Sequence, residues 1–85
     1  MIARSKGVAE RASELNPEAL QADGFDAALV GYTVGMRTVL VYDADQCIDV
    51  LTDSGMTEEE AVEWMEYNTL GAYVGPHGPL FVRFG

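Results

Sequence analysis

Residues 28–43 read Ala28-Leu29-Val30-Gly31-Tyr32-Thr33-Val34-Gly35-Met36-Arg37-Thr38-Val39-Leu40-Val41-Tyr42-Asp43. The runs 28–34 and 37–42 are rich in β-branched and aromatic residues, so they predict two strands. Gly35-Met36 lies between them, and glycine at the first loop position predicts a two-residue type II′ hairpin. The second run is almost continuously apolar, as in a strand that is central in its sheet or covered on both faces. Gly31 inside the first strand marks a bulge, a close backbone approach or a packing gap. Asp43 closes the second strand and opens a helix.

C-terminal to it, Asp43-Ala44-Asp45-Gln46 is a relative of the capping box, with Asp43 as N-cap and Gln46 three residues on. Cys47, Ile48 and Leu51 share one helical stripe, and Asp45, Asp49 and Asp53 share a more polar side. Ser54-Gly55 ends that helix. Thr57-Glu58-Glu59-Glu60 is a full S/T-x-x-E capping box, with three acids in the first turn complementing the helix dipole. The second helix carries Ala61, Trp64, Met65 and Asn68 on one side and Glu59, Glu63 and Glu66 on another, ending near Gly71. A Gly/Pro loop at 75–79 leads to a third strand at 80–84, which needs the hairpin beside it for stability. Of the aromatics Trp64, Tyr67, Tyr73, Phe81 and Phe84, most are expected in the core. Tyr67 and Tyr73 are the candidates for surface anchors, because tyrosine suits half-exposed and interface positions.

N-terminal to the hairpin, Asn16-Pro17-Glu18 has the order of a helix start, predicting a short helix over 17–22 that Asp23-Gly24 ends. A weaker helical stretch at 8–15 precedes it, and the first six or seven residues are expected to fray. The fold class is therefore α+β: an N-terminal helical segment, then β-β-α-α-β, forming a small antiparallel sheet packed by two acidic helices. Residues 1–24 form the helical, partly flexible segment, and residues 25–85 a single small domain.

The chain has 85 residues and a net charge of −9, with one cysteine and one histidine. Such a charge repels phosphates and argues against direct nucleic-acid binding and against an anionic membrane surface. Nine acids and no base lie between Asp43 and Glu66: Asp43, Asp45, Asp49, Asp53, Glu58, Glu59, Glu60, Glu63 and Glu66. The rest of the chain balances five acids with five bases, so the entire net charge belongs to this panel. A single cysteine makes no internal disulfide, no signal-like apolar core opens the chain, and no apolar run reaches membrane-spanning length. A reducing cytoplasm is the expected location.

Several patterns along the same stretch bear on catalysis. A strand ending in Asp43-Ala44-Asp45 has the carboxylate pair by which haloacid-dehalogenase-type phosphatases hold Mg²⁺, but the N-cap and first-turn acid explain both residues without metal. A calcium loop starting at Asp43 fails, with Ile48 where glycine is required and Ser54 where a bidentate glutamate is required. Cys47 sits on the apolar stripe and reads as a buried structural thiol. His77 reads as an exposed loop histidine, and Gly71, Gly75 and Gly78 make no phosphate loop. No catalytic residue, metal ligand or cofactor site is assigned.

From Tyr42-Asp43 through Cys47, Leu51, Gly55-Met56-Thr57-Glu58-Glu59-Glu60-Ala61, Asn68, Gly71-Ala72-Tyr73-Val74-Gly75 and Pro79-Leu80-Phe81, the sequence resembles a set of small uncharacterised proteins encoded by bacteriophages and some bacteria. There a strand ending in Tyr-Asp leads to a GMTxEEA…N…GAYVG…P.F stretch. The resemblance covers about half the chain, departs from it at Gly78-Pro79-Leu80 where Thr-Pro-Ile is expected, and implies a phage or bacterial origin without any catalytic residue. With the acidic panel, it gives the expectation of a small non-enzymatic phage accessory protein that contacts a host or phage protein, with a homodimer as a second association. The candidate interaction residues are Asp45, Asp49, Asp53, Glu59, Glu63, Glu66, Tyr67 and Tyr73. The alternative is an acidic DNA mimic that occupies the basic groove of a host defence or transcription protein.

Overall fold

The computed structural model describes residues 2–22, 24–67 and 75–84. Helix α1 (Ile2–Leu15) is followed by a 3₁₀ turn at Asp26–Ala28, strands β1 (Leu29–Tyr32) and β2 (Leu40–Asp43), helices α2 (Ala44–Asp53) and α3 (Glu58–Met65), and strand β3 (Leu80–Val82). The fold is α+β.

β2 is the central strand of three. It pairs antiparallel with β1, with Leu29 opposite Tyr42, Gly31 opposite Val41 and Tyr32 opposite Leu40. Two steps on β1 match one on β2, so Val30 is the extra residue of a bulge beside Gly31. A Cβ built on Gly31 meets nothing, so the bulge, and not a close approach, is what this glycine marks. β3 pairs with β2 in parallel, with Tyr42 opposite Phe81. The sheet is therefore mixed, not antiparallel throughout as expected. The reason is that β2 runs straight into α2, and the α2–α3 pair carries the chain back so that β3 enters alongside β2 in the same direction.

The hairpin also departs from the two-residue loop. Seven residues, 33–39, separate the strands. Thr33 closes them: its amide donates to the Val39 carbonyl at 2.9 Å, its hydroxyl donates to the Arg37 carbonyl at 2.9 Å, and it accepts from the Val39 amide at 3.0 Å. The Thr33 side chain thus takes backbone groups that a longer ladder would have used. Gly35 sits at the tip with φ +107°, a conformation suited to glycine.

Side chains alternate along β2, with Leu40 and Tyr42 buried and Val41 and Asp43 half-buried. The buried face meets Ala12, Phe25, Ala28, Leu29, Ala44, Cys47, Leu51, Ala61 and Met65 in one core. Tyr42 and Phe81 stack with ring centroids 5.6 Å apart, and Phe25 meets Trp64 at 5.7 Å. α2 packs on β2 and the 3₁₀ turn, α1 packs on β1, and α3 lies mainly on α2. Of the two acidic helices α2 therefore lies closer along the sheet, while α3 reaches the core through Ala61 and Met65. Phe84, expected inside, is 65% exposed, because the chain leaves the ladder after Val82.

The N-terminal segment differs from expectation in two ways. α1 begins at Ile2 instead of near residue 8, since extending a formed helix costs little once its first turn exists. No helix forms over 17–22. Asn16 instead closes a single turn, its Oδ1 accepting from the Glu18 amide at 3.1 Å and its carbonyl from the Ala19 amide at 3.1 Å. Beyond that turn the amides find tertiary partners: Leu20 donates to the His77 carbonyl at 3.0 Å and Ala22 to the Tyr42 hydroxyl at 2.9 Å. A six-residue helix is too short to compete with such partners.

Candidate functional site

The acidic panel divides by the work each carboxylate does. Asp43 is the N-cap of α2, with Oδ1 accepting from the Asp45 amide at 2.9 Å and the Gln46 amide at 3.3 Å. Asp45 accepts from Arg83 Nε at 2.9 Å, tying α2 to the end of β3. Thr57 and Glu60 complete the capping box, with the Glu60 amide donating to Thr57 Oγ1 at 3.2 Å and the Thr57 amide to Glu60 Oε1 at 2.9 Å. α2 ends in a Schellman turn: Gly55, at φ +115°, donates to the Thr52 carbonyl, and Met56 donates to that of Leu51. That turn sets the angle at which α3 departs.

Asp49, Asp53, Glu58, Glu59, Glu63 and Glu66 are exposed, and none makes an ion pair among the described residues. Glu58 and Glu59 lie in the first turn of α3, where the helix dipole favours them. Glu63 and Glu66 do not. They stand beyond that turn, in a helical run that continues through Tyr67, where neither capping nor a basic residue in the last turn of α3 accounts for them. Glu59 also faces Glu63 at i,i+4, a like-charge pair.

Two shallow depressions border this face. One, of about 330 Å³, is lined by Glu58, Glu59, Val62, Glu63 and Glu66. The other, of about 340 Å³, is lined by Met56, Glu60, Glu63, Trp64 and Tyr67. The candidate residues Glu59, Glu63, Glu66 and Tyr67 are thus gathered on the outer side of α3, and Tyr67 is 85% exposed. Asp49 and Asp53 line neither depression, and Asp45 is held by Arg83. Tyr73, like Asn68, lies outside the described residues.

Cys47 is fully buried, and burial, with the Asp43 charge adding to it, pushes its thiol up to about 12. It stays a neutral core group at physiological pH. Asp43 caps α2 as the N-cap reading has it, whereas Asp45, in the first turn, takes Arg83 Nε, a partner that reading did not include. Among the described residues, no group of three or more His, Cys, Asp or Glu side chains is placed to hold a metal ion.

Two features carry no signal in the sequence. His77 is not a free loop side chain: its Nδ1 lies 3.0 Å from Asn16 Nδ2, its Nε2 lies 3.6 Å from Glu18, and its carbonyl holds Leu20. Asn16 Nδ2 also donates to the Thr38 carbonyl at 2.8 Å, so one carboxamide joins α1, the hairpin loop and the loop at 75–79. Residues 61 positions apart leave no local trace of such a contact. The second feature is the hairpin tip, where Val34 and Met36 are 82% and 106% exposed. The seven-residue loop turns outward what a two-residue loop would have left in strand or turn.

No family model, curated protein or solved structure matches the chain. No helix among the described residues is long and apolar enough to cross a membrane.

Proposed function

We propose that this chain is a small non-enzymatic accessory protein of a phage, working in the bacterial cytoplasm by contact with another protein through the outer side of α3. The surface comprises Glu59, Glu63 and Glu66 with Tyr67 beside them. The observation that carries this reading is that Glu63 and Glu66 are exposed beyond the first turn of α3, and neither side chain caps a helix or has a cationic partner among the described residues. Helix capping accounts for Asp43 and Glu60, and ion pairing for Asp45, but neither accounts for these two. An exposed tyrosine next to them supplies the rigid amphipathic contact area that interfaces favour. The partner this surface suits has a basic patch with an apolar pocket.

The test is affinity capture from bacterial cytoplasm with the wild-type chain and with Tyr67→Ala combined with Glu63→Gln and Glu66→Gln. The reading requires a discrete captured protein that the triple variant loses by at least about tenfold, as for an interface anchor. Equal capture by both chains contradicts it.

The DNA-mimic reading is favoured by one observation, the six exposed carboxylates of the panel (Asp49, Asp53, Glu58, Glu59, Glu63 and Glu66) whose side chains neither cap a helix nor take an ion pair among the described residues. Its signature is a partner that binds nucleic acid and releases the chain steeply with added salt. A contact centred on Tyr67 is far less sensitive to salt.

A further inference from the structure

Turn tips are normally built from Gly, Asn, Asp, Ser and Pro, which leave no apolar surface in water. Here the tip holds Val34 and Met36 around Gly35, both almost wholly exposed. It is also held in shape, by the three Thr33 bonds and by Asn16 bonding to the Thr38 carbonyl. Arg37 is the only charged residue between Ala27 and Tyr42, so the tip carries a local positive charge on an acidic molecule.

The depression of Met56, Glu60, Glu63, Trp64 and Tyr67 has the opposite character, lined by one methionine, two aromatic rings and two carboxylates. The tip and the depression do not fill one another within one chain, since both Met36 and Tyr67 stand exposed. We infer that the 33–39 loop is a docking finger for a second copy of this chain, seating Met36 and Val34 in that depression with Arg37 against Glu60 and Glu63. Methionine on aromatic rings is a favourable apolar contact, and the arginine meets the two carboxylates. A contact of three tip residues is below the size of a stable interface, so the association is weak unless two copies exchange fingers reciprocally. It shares Glu63 and Tyr67 with the partner surface proposed above, so self-association and partner binding compete. The inference goes beyond that reading and is tested on the purified chain alone, so either can fail without the other.

The experiment is sedimentation velocity over a concentration series reaching about 1 mM, at about 0.15 M salt to screen the overall repulsion of two acidic copies. Association is expected for wild type, with Met36→Asp, Arg37→Glu and Glu63→Arg each weakening it by at least about tenfold. All three positions are exposed, so the variants keep the fold. An equimolar mixture of the Arg37→Glu and Glu63→Arg chains regains association, because it contains both the native and the reversed charge pair. A wild-type chain that stays monomeric throughout, whether or not its tip binds lipid vesicles, overturns the proposal. So does association that Met36→Asp leaves unchanged, or a mixture that fails to recover.

Discussion

Single side chains in this protein tie together segments that are remote in sequence, and their contributions can be measured one at a time. Asn16 makes three contacts with its carboxamide, to Glu18, Thr38 and His77. Asn16→Ala is expected to cost about 1–2 kcal/mol in chemical denaturation, the loss of two part-buried hydrogen bonds and one exposed one. Asn16→Asp is no substitute, because the Thr38 carbonyl needs a donor. Cys47 gives a pH dependence with a definite sign. Its thiol is pushed up to about 12 in the folded chain, so above the ordinary thiol range the unfolded chain gives up a proton that the folded chain keeps. Its contribution is therefore complete at neutral pH and falls by about 1.4 kcal/mol per pH unit from about pH 9 toward 12. Wild type compared with Cys47→Ala isolates that slope from other titrations. A stability difference that stays constant across this range contradicts the burial.

Capping chemistry makes sharp predictions at the scale of the elements. Asp43→Ala and Thr57→Ala should each cost about 1 kcal/mol, whereas Asp43→Asn should be nearly neutral because asparagine caps as well as aspartate. Thermal denaturation of these variants measures that capping contribution directly, and a large loss in Asp43→Asn would contradict it. Both helix starts were legible in the sequence because a cap is a local device, complete within four residues. The central position of β2 was one of two readings that the nearly continuous apolar run 37–42 offered. The parallel entry of β3 was not legible, because strand direction is set by where two intervening helices return the chain. The length of the hairpin loop was hidden for a related reason. Gly35 identified the turn, but the Thr33 hydroxyl, which has no positional signature, set its length. Asn16-Pro17-Glu18 shows the reverse case: its local grammar is that of a helix start, and contacts to His77 and Tyr42 overrode it.

For the molecule as a whole, the net charge of −9 separates into structural and unassigned parts. Asp43, Asp45 and Glu60 hold elements in place, whereas the side chains of Glu63 and Glu66 neither cap a helix nor make an ion pair among the described residues. Replacing the latter two by glutamine should leave stability unchanged or raise it by about 0.3–1 kcal/mol. A loss of more than that would show that they are structural after all. The candidate surface was partly legible, since helical spacing groups Glu59, Glu63 and Glu66, but spacing alone could not separate them from Asp45, which Arg83 takes from 38 positions away. The central claim is that this outer side of α3 meets another protein. Its most direct test is a photo-crosslinking residue placed at position 63 of the chain expressed in bacterial cells, with position 10 on α1 as the control. A discrete adduct with one other protein is predicted at position 63 and not at position 10. Equal labelling at both positions, or no protein adduct at position 63, would contradict the account.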